Sequence, residues 1–218
     1  MQKKSIFIVT GGTSGIGLEV VRTLAKPSHR IIVGARRPNT ATELRKAGGD
    51  SLTILPLDVA SLQSVRFFAS SVRHLLESND RISALACNAG MQAGKSMKMS
   101  EDGVELTFAT NHLGHFLLTH ELLPFLEPGA AVISTASGTH DPQDKLAARF
   151  GFRGGIFPSA QRVASGDIDN SVSQKQQSMD RYATSKLCNI LFTMEMARRI
   201  PSSVARFIAF DPGLMPGT

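Results

Sequence analysis

The sequence predicts an α/β protein, a doubly wound parallel sheet with helices on both faces, formed as one domain over residues 1–218. Three observations predict it. Short apolar runs, the first of them Ile6-Phe7-Ile8-Val9, recur along the chain and stop at glycine-containing turns, as buried parallel strands do. Segments of helical period lie between those runs, so each strand reaches the next through a crossover. The 218 residues are 42% hydrophobic and 19% charged, which supports a real core and excludes a disordered or fibrous chain.

Residues 6–10 are a first strand. Ile16, Val20, Val21 and Leu24 fall at helical spacing over residues 16–25, and Pro27 ends that helix. Ile31-Ile32-Val33-Gly34 is the second strand. Residues 40–47 form a short helix closed by Gly48-Gly49, and residues 52–57 a third strand. Ser61 is placed to cap a helix running to about residue 78, and a fourth strand over residues 82–87 ends at Asn88-Ala89-Gly90. A long amphipathic helix is expected over residues 105–126, stopped by Pro128-Gly129, followed by a fifth strand at 131–135. A helix over 180–199 and a sixth strand over 204–210 complete the alternation, ending at Asp211-Pro212-Gly213.

Residues 138–179 interrupt this pattern. They are rich in Ser, Gln, Asp and Gly, with one apolar knot at Phe150, Phe152, Ile156 and Phe157. A loop of that length is expected as a partly ordered flap inserted beside the functional site.

The formal net charge is +6, but the basic residues come in scattered pairs such as Arg36-Arg37 and Arg198-Arg199, so no nucleic-acid-binding face is expected. No apolar run approaches the ~18 residues of a membrane span. The N-terminal apolar run stops at Gly11 and reads as a strand rather than a signal peptide. Cys87 and Cys188 both sit in apolar stretches, which fits a reducing compartment, and a cytoplasmic protein is expected.

Thr10-Gly11-Gly12-Thr13-Ser14-Gly15-Ile16-Gly17 joins the first strand to the first helix. Gly11 permits the turn, Gly15 lets backbone approach a pyrophosphate, and Gly17 allows close packing of helix on strand. The helix start then offers free N–H groups to the phosphates. After the second strand stand Ala35-Arg36-Arg37, where an NAD site would place an acid for the ribose 2′-hydroxyl. A guanidinium there suits a 2′-phosphate, so NADP(H) is the expected cofactor.

With Asp58-Val59, Asn88-Ala89-Gly90, Asn111, Ser137, Tyr182-Ala183-Thr184-Ser185-Lys186 and Pro212-Gly213-Leu214 in this order, the chain resembles the short-chain dehydrogenase/reductase family from Ile6 to Thr218. The resemblance implies a Rossmann-type fold and a catalytic set of Ser137, Tyr182, Lys186 and Asn111. Tyr182 is the only tyrosine, and Lys186 lies four positions further on, so both face one side of a helix. A phenol with an ordinary pKa of ~10 is a poor acid–base catalyst, and a neighbouring ammonium together with a positively charged nicotinamide is expected to lower it. By resemblance Tyr182 gives a proton to a carbonyl oxygen while hydride moves at the nicotinamide. Lys186 holds the nicotinamide ribose, and Asn111 supports Lys186 through a water. Ser134 and Ser137 both lie near the fifth strand's end; alignment to the family pattern selects Ser137, leaving Ser134 inside the strand. Asp58 and Val59 are assigned to the adenine ring, and Asn88 to Gly90 to the middle of the cofactor.

His112, His115, His120 and His140 lack a carboxylate or thiolate cluster at ligand spacing, so no metal site is expected. Asn111-His112-Leu113-Gly114-His115-Phe116, the long flap and Cys188 shortly after Lys186 look most like the retinol-dehydrogenase-like and protochlorophyllide-reductase-like branches. Cys188 itself reads as a small buried apolar residue. The family usually continues past the Pro-Gly loop with a substrate-covering segment and a last strand. The chain stops at Thr218, so that strand is expected to be absent, leaving an open edge that a second subunit could fill, since homo-oligomers are common in the family. Two functions stay open: a reductase or dehydrogenase acting on an apolar carbonyl, alcohol or conjugated double bond, and a catalytically silent NADP-binding sensor or scaffold.

Overall fold

Apolar strands covered on both faces need two layers of helices, and the chain supplies both. The computed structural model describes residues 4–92 and 94–214; the chain end at Thr218 lies outside them. Six strands, β1 (Ser5–Thr10), β2 (His29–Ala35), β3 (Leu52–Pro56), β4 (Ile82–Cys87), β5 (Leu126–Thr135) and β6 (Ala205–Phe210), form one sheet in the order β3-β2-β1-β4-β5-β6. Every pairing is parallel.

Side chains alternate between the two faces along each strand. Ile6, Ile8 and Ile32 join a core with Phe68 of α3 (Leu62–Leu75) and Leu118 of α5 (Gly114–Leu122). Val9, Ile31 and Val33 pack instead with Val21 of α1 (Gly15–Leu24) and Leu44 of α2 (Thr42–Gly48). As expected, Ser61 caps α3, accepting from the Ser64 N–H at 3.2 Å.

The expected helix over 105–126 is broken into pieces. A short α4 (Leu106–Phe108) passes into one wider π-type turn, Ala109–Leu113, before α5 begins, and Pro124 sits in a 3-10 turn after it. Pro128-Gly129 does not stop a helix but lies inside β5. There the register with β4 jumps from Ile82↔Leu126 to Ala84↔Ala131, and the extra residues bulge out. Gly129 takes a φ of +76° in that bulge, and its N–H donates to the Val204 carbonyl at 3.2 Å.

Residues 138–179 are more regular than expected. They hold a 3-10 turn, α6 (Lys145–Arg149) and α7 (Ala160–Ser165), and they run into α8 (Gln174–Arg199) six residues earlier than the sequence reading placed that helix. Ser173 caps α8 by accepting from the Gln176 N–H at 3.3 Å. Among the described residues no helix is long and apolar enough to cross a membrane.

Candidate active site

In a parallel sheet with this strand order, the loops at the carboxyl ends of the strands open into a crevice where the chain's course reverses. That crevice is a cleft of about 930 Å³, floored by the loops after all six strands and walled by Tyr182 and Lys186 of α8.

The glycine loop forms one end. Gly11 has a φ of +66°, and a Cβ there would sit 2.7 Å from the Ala89 Cα, so a larger residue would force the β1 and β4 loops apart. A Cβ on Gly17 would lie 2.3 Å from the Gly11 carbonyl oxygen, which explains close helix–strand packing; Gly17 therefore supports the cleft without lining it. Ser14 stands at the N-cap of α1 but makes no side-chain cap bond, and no acidic residue occupies the first turn. The helix start thus offers uncapped N–H groups toward a cleft also lined by Thr13, Ser14, Gly15 and Ile16. These features fit a pyrophosphate.

Arg36 lines the cleft beside Gly34 and Ala35, while Arg37 does not and instead precedes a 3-10 turn. Asp58, Val59, Asn88, Ala89 and Gly90 all line it, with Pro212, Gly213 and Leu214 on the far side. The Asp58 carboxylate accepts from the Ala60 N–H at 3.0 Å, shaping its own loop.

At the floor, Thr10 is a junction that the sequence reading missed. Its hydroxyl accepts from the Asn88 and Ala89 N–H groups at 2.9 and 3.0 Å and meets His115 Nε2 at 2.9 Å. His115 Nδ1 lies 3.3 Å from the Asn111 carbonyl, which assigns the proton to Nδ1 and makes Nε2 the acceptor. Burial lowers the pKa of His115 to about 4, so it is neutral there.

Ser137, Tyr182 and Lys186 meet at the other end of the cleft. Ser134 is inside β5 and buried, whereas Ser137 lies just past the strand. Ser137 hydrogen-bonds the phenol of Tyr182. Lys186 Nζ is 5.5 Å from the centre of the Tyr182 ring and donates to the Thr135 carbonyl at 3.0 Å. The ammonium is therefore tied to the end of β5. The Lys186 ammonium on its own does not bring the phenol below its ordinary value. Burial holds Tyr182 above the ordinary 10.0, its bond with Ser137 pulls it down, and the Asp211 carboxylate pushes it up. Burial also brings Lys186 down to about 8, partly offset by Asp211.

Asn111 stands in the π-type turn, where its side chain is fully engaged. Oδ1 accepts from the Met91 N–H at 2.7 Å, while Nδ2 donates to the Met91 carbonyl at 2.9 Å and to Ser185 Oγ at 3.0 Å. It fastens the loop after β4 rather than lining the cleft. Asn189 is a further residue of this corner: its amide donates to the carbonyls of both Asn111 and Thr135, at 3.1 and 3.0 Å. Its position three residues after Lys186, on the same helix face, was the available signal.

Cys188 is buried, and burial pushes its thiol up to about 12, as suits a small core residue. His112 bonds Asn189, His120 its own helix and His140 the Ser137 carbonyl. No cluster of His, Cys, Asp or Glu that could hold a metal occurs among the described residues.

A second cavity of about 640 Å³ adjoins the cleft at Ser137, walled by Leu146, Phe150, Phe152 and Met179 from the inserted segment. It is mainly apolar, and it lies next to the Tyr182 end, as a substrate pocket would.

The chain is similar to known proteins in sequence and in fold. A family model described as short chain dehydrogenase matches residues 5–147. Retinol dehydrogenase 14 of Homo sapiens is 32% identical over 229 residues, covering 95% of this chain and 61% of that protein. Protochlorophyllide reductase B, chloroplastic, of Oryza sativa subsp. japonica is 31% identical over 238 residues, covering 99% and 56%. The chain thus spans little more than half the length of these curated relatives. A solved protein from Mycobacterium paratuberculosis superposes with a TM-score of 0.76 at 29% identity, over 97% of this chain and 69% of that one. The RhlG/NADP active-site complex of Pseudomonas aeruginosa gives 0.67 at 24% identity, over 98% and 74%, a likeness of fold. The glycine loop on an uncapped helix, the Ser-Tyr-Lys corner and the matched family model lead to one conclusion: the chain belongs to the short-chain dehydrogenases, oxidoreductases that use nicotinamide cofactors.

Proposed function

We propose that the chain is an NADP(H)-dependent oxidoreductase that interconverts a carbonyl and an alcohol on an apolar small molecule, with Tyr182 as acid and base. The observation that carries this reading is the convergence of Ser137, Tyr182 and Lys186 where the dinucleotide cleft meets the apolar cavity. When bound, the nicotinamide supplies or accepts hydride. Ser137 holds the substrate oxygen, and Tyr182 gives that oxygen a proton in reduction and takes one back in oxidation. Lys186 stabilises the phenolate that forms, while Thr135 and Asn189 keep its ammonium and the β5 end in register. Arg36, which lines the cleft just after β2 where an NAD site would place an acid, favours a 2′-phosphate over a free hydroxyl.

Residues 1–218 act as one Rossmann-type domain with an insertion at 138–179, and two buried free thiols suit the cytoplasm. Likeness to protochlorophyllide reductase B favours a second reading, reduction of a conjugated double bond by the same residues. The test follows NADPH absorbance with aldehydes, ketones and conjugated pigments, for the wild type against Tyr182→Phe. A loss of about 10²–10⁴-fold is expected in the variant. Equal rates in both proteins would sink the enzyme reading and leave the silent NADP-binding sensor.

A further inference from the structure

The inserted segment grips the catalytic helix on either side of Tyr182. Residues 152–156 run along α8 as a strap. The Phe152 ring lies 5.9 Å from the Tyr182 ring, centre to centre, tilted by 46°. Arg153 donates from Nε to one oxygen of Asp180 at 3.0 Å and from a terminal nitrogen to the other at 2.6 Å. That terminal nitrogen also reaches Asp169 at 2.7 Å. Gly155 comes so near that a Cβ there would lie 2.7 Å from the Leu187 Cβ and 3.1 Å from the Ala183 carbonyl oxygen. The Ile156 N–H donates to Thr184 Oγ1 at 3.0 Å, and the Ile156 carbonyl accepts from the same hydroxyl at 3.0 Å.

Neither Arg153 nor Asp180 lines the dinucleotide cleft or the apolar cavity. Asp180 is 1% exposed, and a carboxylate taken that far out of water is costly unless its partner geometry is good. A two-pronged guanidinium fixes both the place and the rotation of whatever carries it. Here it carries the backbone next to Phe152, the strap's aromatic contact with Tyr182.

We propose that Arg153 and Asp180 are positioning residues for Tyr182: their fork pins residues 152–156 on α8, and the pinned strap holds Phe152 against the phenol ring. The inference rests on Tyr182 being the acid and base. The charged groups that face the phenol are Lys186, on its own helix, and Asp211, after β6. Asp180 is neutralised by Arg153, so its effect on Tyr182 runs through position and water exclusion rather than through its charge.

Tyr182 is the only tyrosine and the chain has no tryptophan, so phenolate absorbance and tyrosine fluorescence report on that one residue. The experiment compares wild type with Arg153→Gln, Arg153→Lys, Asp180→Asn and Phe152→Leu. It uses phenolate titration, acrylamide quenching, and kcat and KM with NADPH and a reactive aldehyde. Loosening the strap lets water reach the phenol. Quenching therefore rises, and the titration midpoint falls in both Arg153→Gln and Asp180→Asn, since burial is what holds it up. kcat falls by about 10–100-fold with KM for NADPH nearly constant, and Arg153→Lys recovers part of it.

Midpoints that move in opposite directions for Arg153→Gln and Asp180→Asn would mean the field of a charge and overturn the proposal. So would midpoints and kcat that do not move. Arg153→Gln and Phe152→Leu alter side chains that are not fully buried, and they decide the matter if Asp180→Asn does not fold. The optical readouts do not need turnover, so the strap stands or falls even if Tyr182→Phe leaves the rate unchanged and the enzyme reading fails.

Discussion

Lys186 Nζ donates to the Thr135 carbonyl at 3.0 Å, so one hydrogen bond ties the middle of α8 to the carboxyl end of β5. The ammonium sits there at a cost. Burial lowers its pKa from 10.5 to about 8, so between those values the unfolded chain binds a proton that the folded chain does not. Stability from this group therefore rises with pH across that window, and the full cost is present below it. Lys186→Met is expected to abolish turnover yet raise stability at neutral pH by about 1–3 kcal/mol, after the lost Thr135 bond is counted. Thermal unfolding checks it: the variant's advantage should shrink as pH climbs from about 8 toward 10.5.

His115 gives the same linkage at acid pH. Its pKa falls from 6.5 to about 4 because the ring is buried against Thr10. The unfolded chain takes up a proton below 6.5 that the folded chain refuses until about 4, so stability drops as pH falls through that range. Urea midpoints of His115→Gln should decline less steeply there than those of the wild type. Parallel curves would contradict a neutral buried ring.

Arg36 and Arg37 are neighbours with different surroundings, since only Arg36 lines the cleft. Arg36→Ala should weaken NADPH binding by about 10–100-fold and leave NADH binding unchanged, the loss of a charge-assisted contact. Arg37→Ala should change neither. Fluorescence titration of both reduced nucleotides decides it, and equal weakening for the two would remove the basis for cofactor choice.

Gly114 begins α5 under the loop that carries Asp58 and Val59. A Cβ there would sit 1.9 Å from the Val59 carbonyl oxygen, backbone that has no rotamer to yield. Gly114→Ala should cost about 3 kcal/mol or more, seen as a lower urea midpoint. Gly94→Ala, where nothing lies within 4 Å, should leave that midpoint in place.

Much of this was legible because parallel strands announce themselves. The β4 range, 82–87, was read without error, and β1 and β6 to within a residue, from apolar runs bounded by turns. The glycine loop and the Tyr182–Lys186 spacing are local, so one stretch of sequence contains them. Pro128-Gly129 misled because pairing with β4 and β6 absorbs a bulge that local preference reads as a stop. Asn111, in the π-type turn, bonds Met91, twenty positions earlier, and no period in residues 105–126 encodes that partner. The early start of α8 was readable: Ser173 followed three residues later by Gln176 is a capping pattern. The phenol's upward shift needed the folded surroundings of Tyr182, since its causes, burial and then the Asp211 carboxylate, come from other elements.

The dinucleotide cleft draws its floor from the ends of all six strands, from Thr10 to Leu214. A ligand spanning it touches loops that only the folded sheet brings together, so its binding favours the folded chain. Occupancy then pulls the folding equilibrium by mass action, worth about 2.7 kcal/mol when nucleotide stands at a hundred times its dissociation constant. Cellular nucleotide supply thereby becomes a term in how long the polypeptide survives proteolysis, whether or not a substrate is at hand.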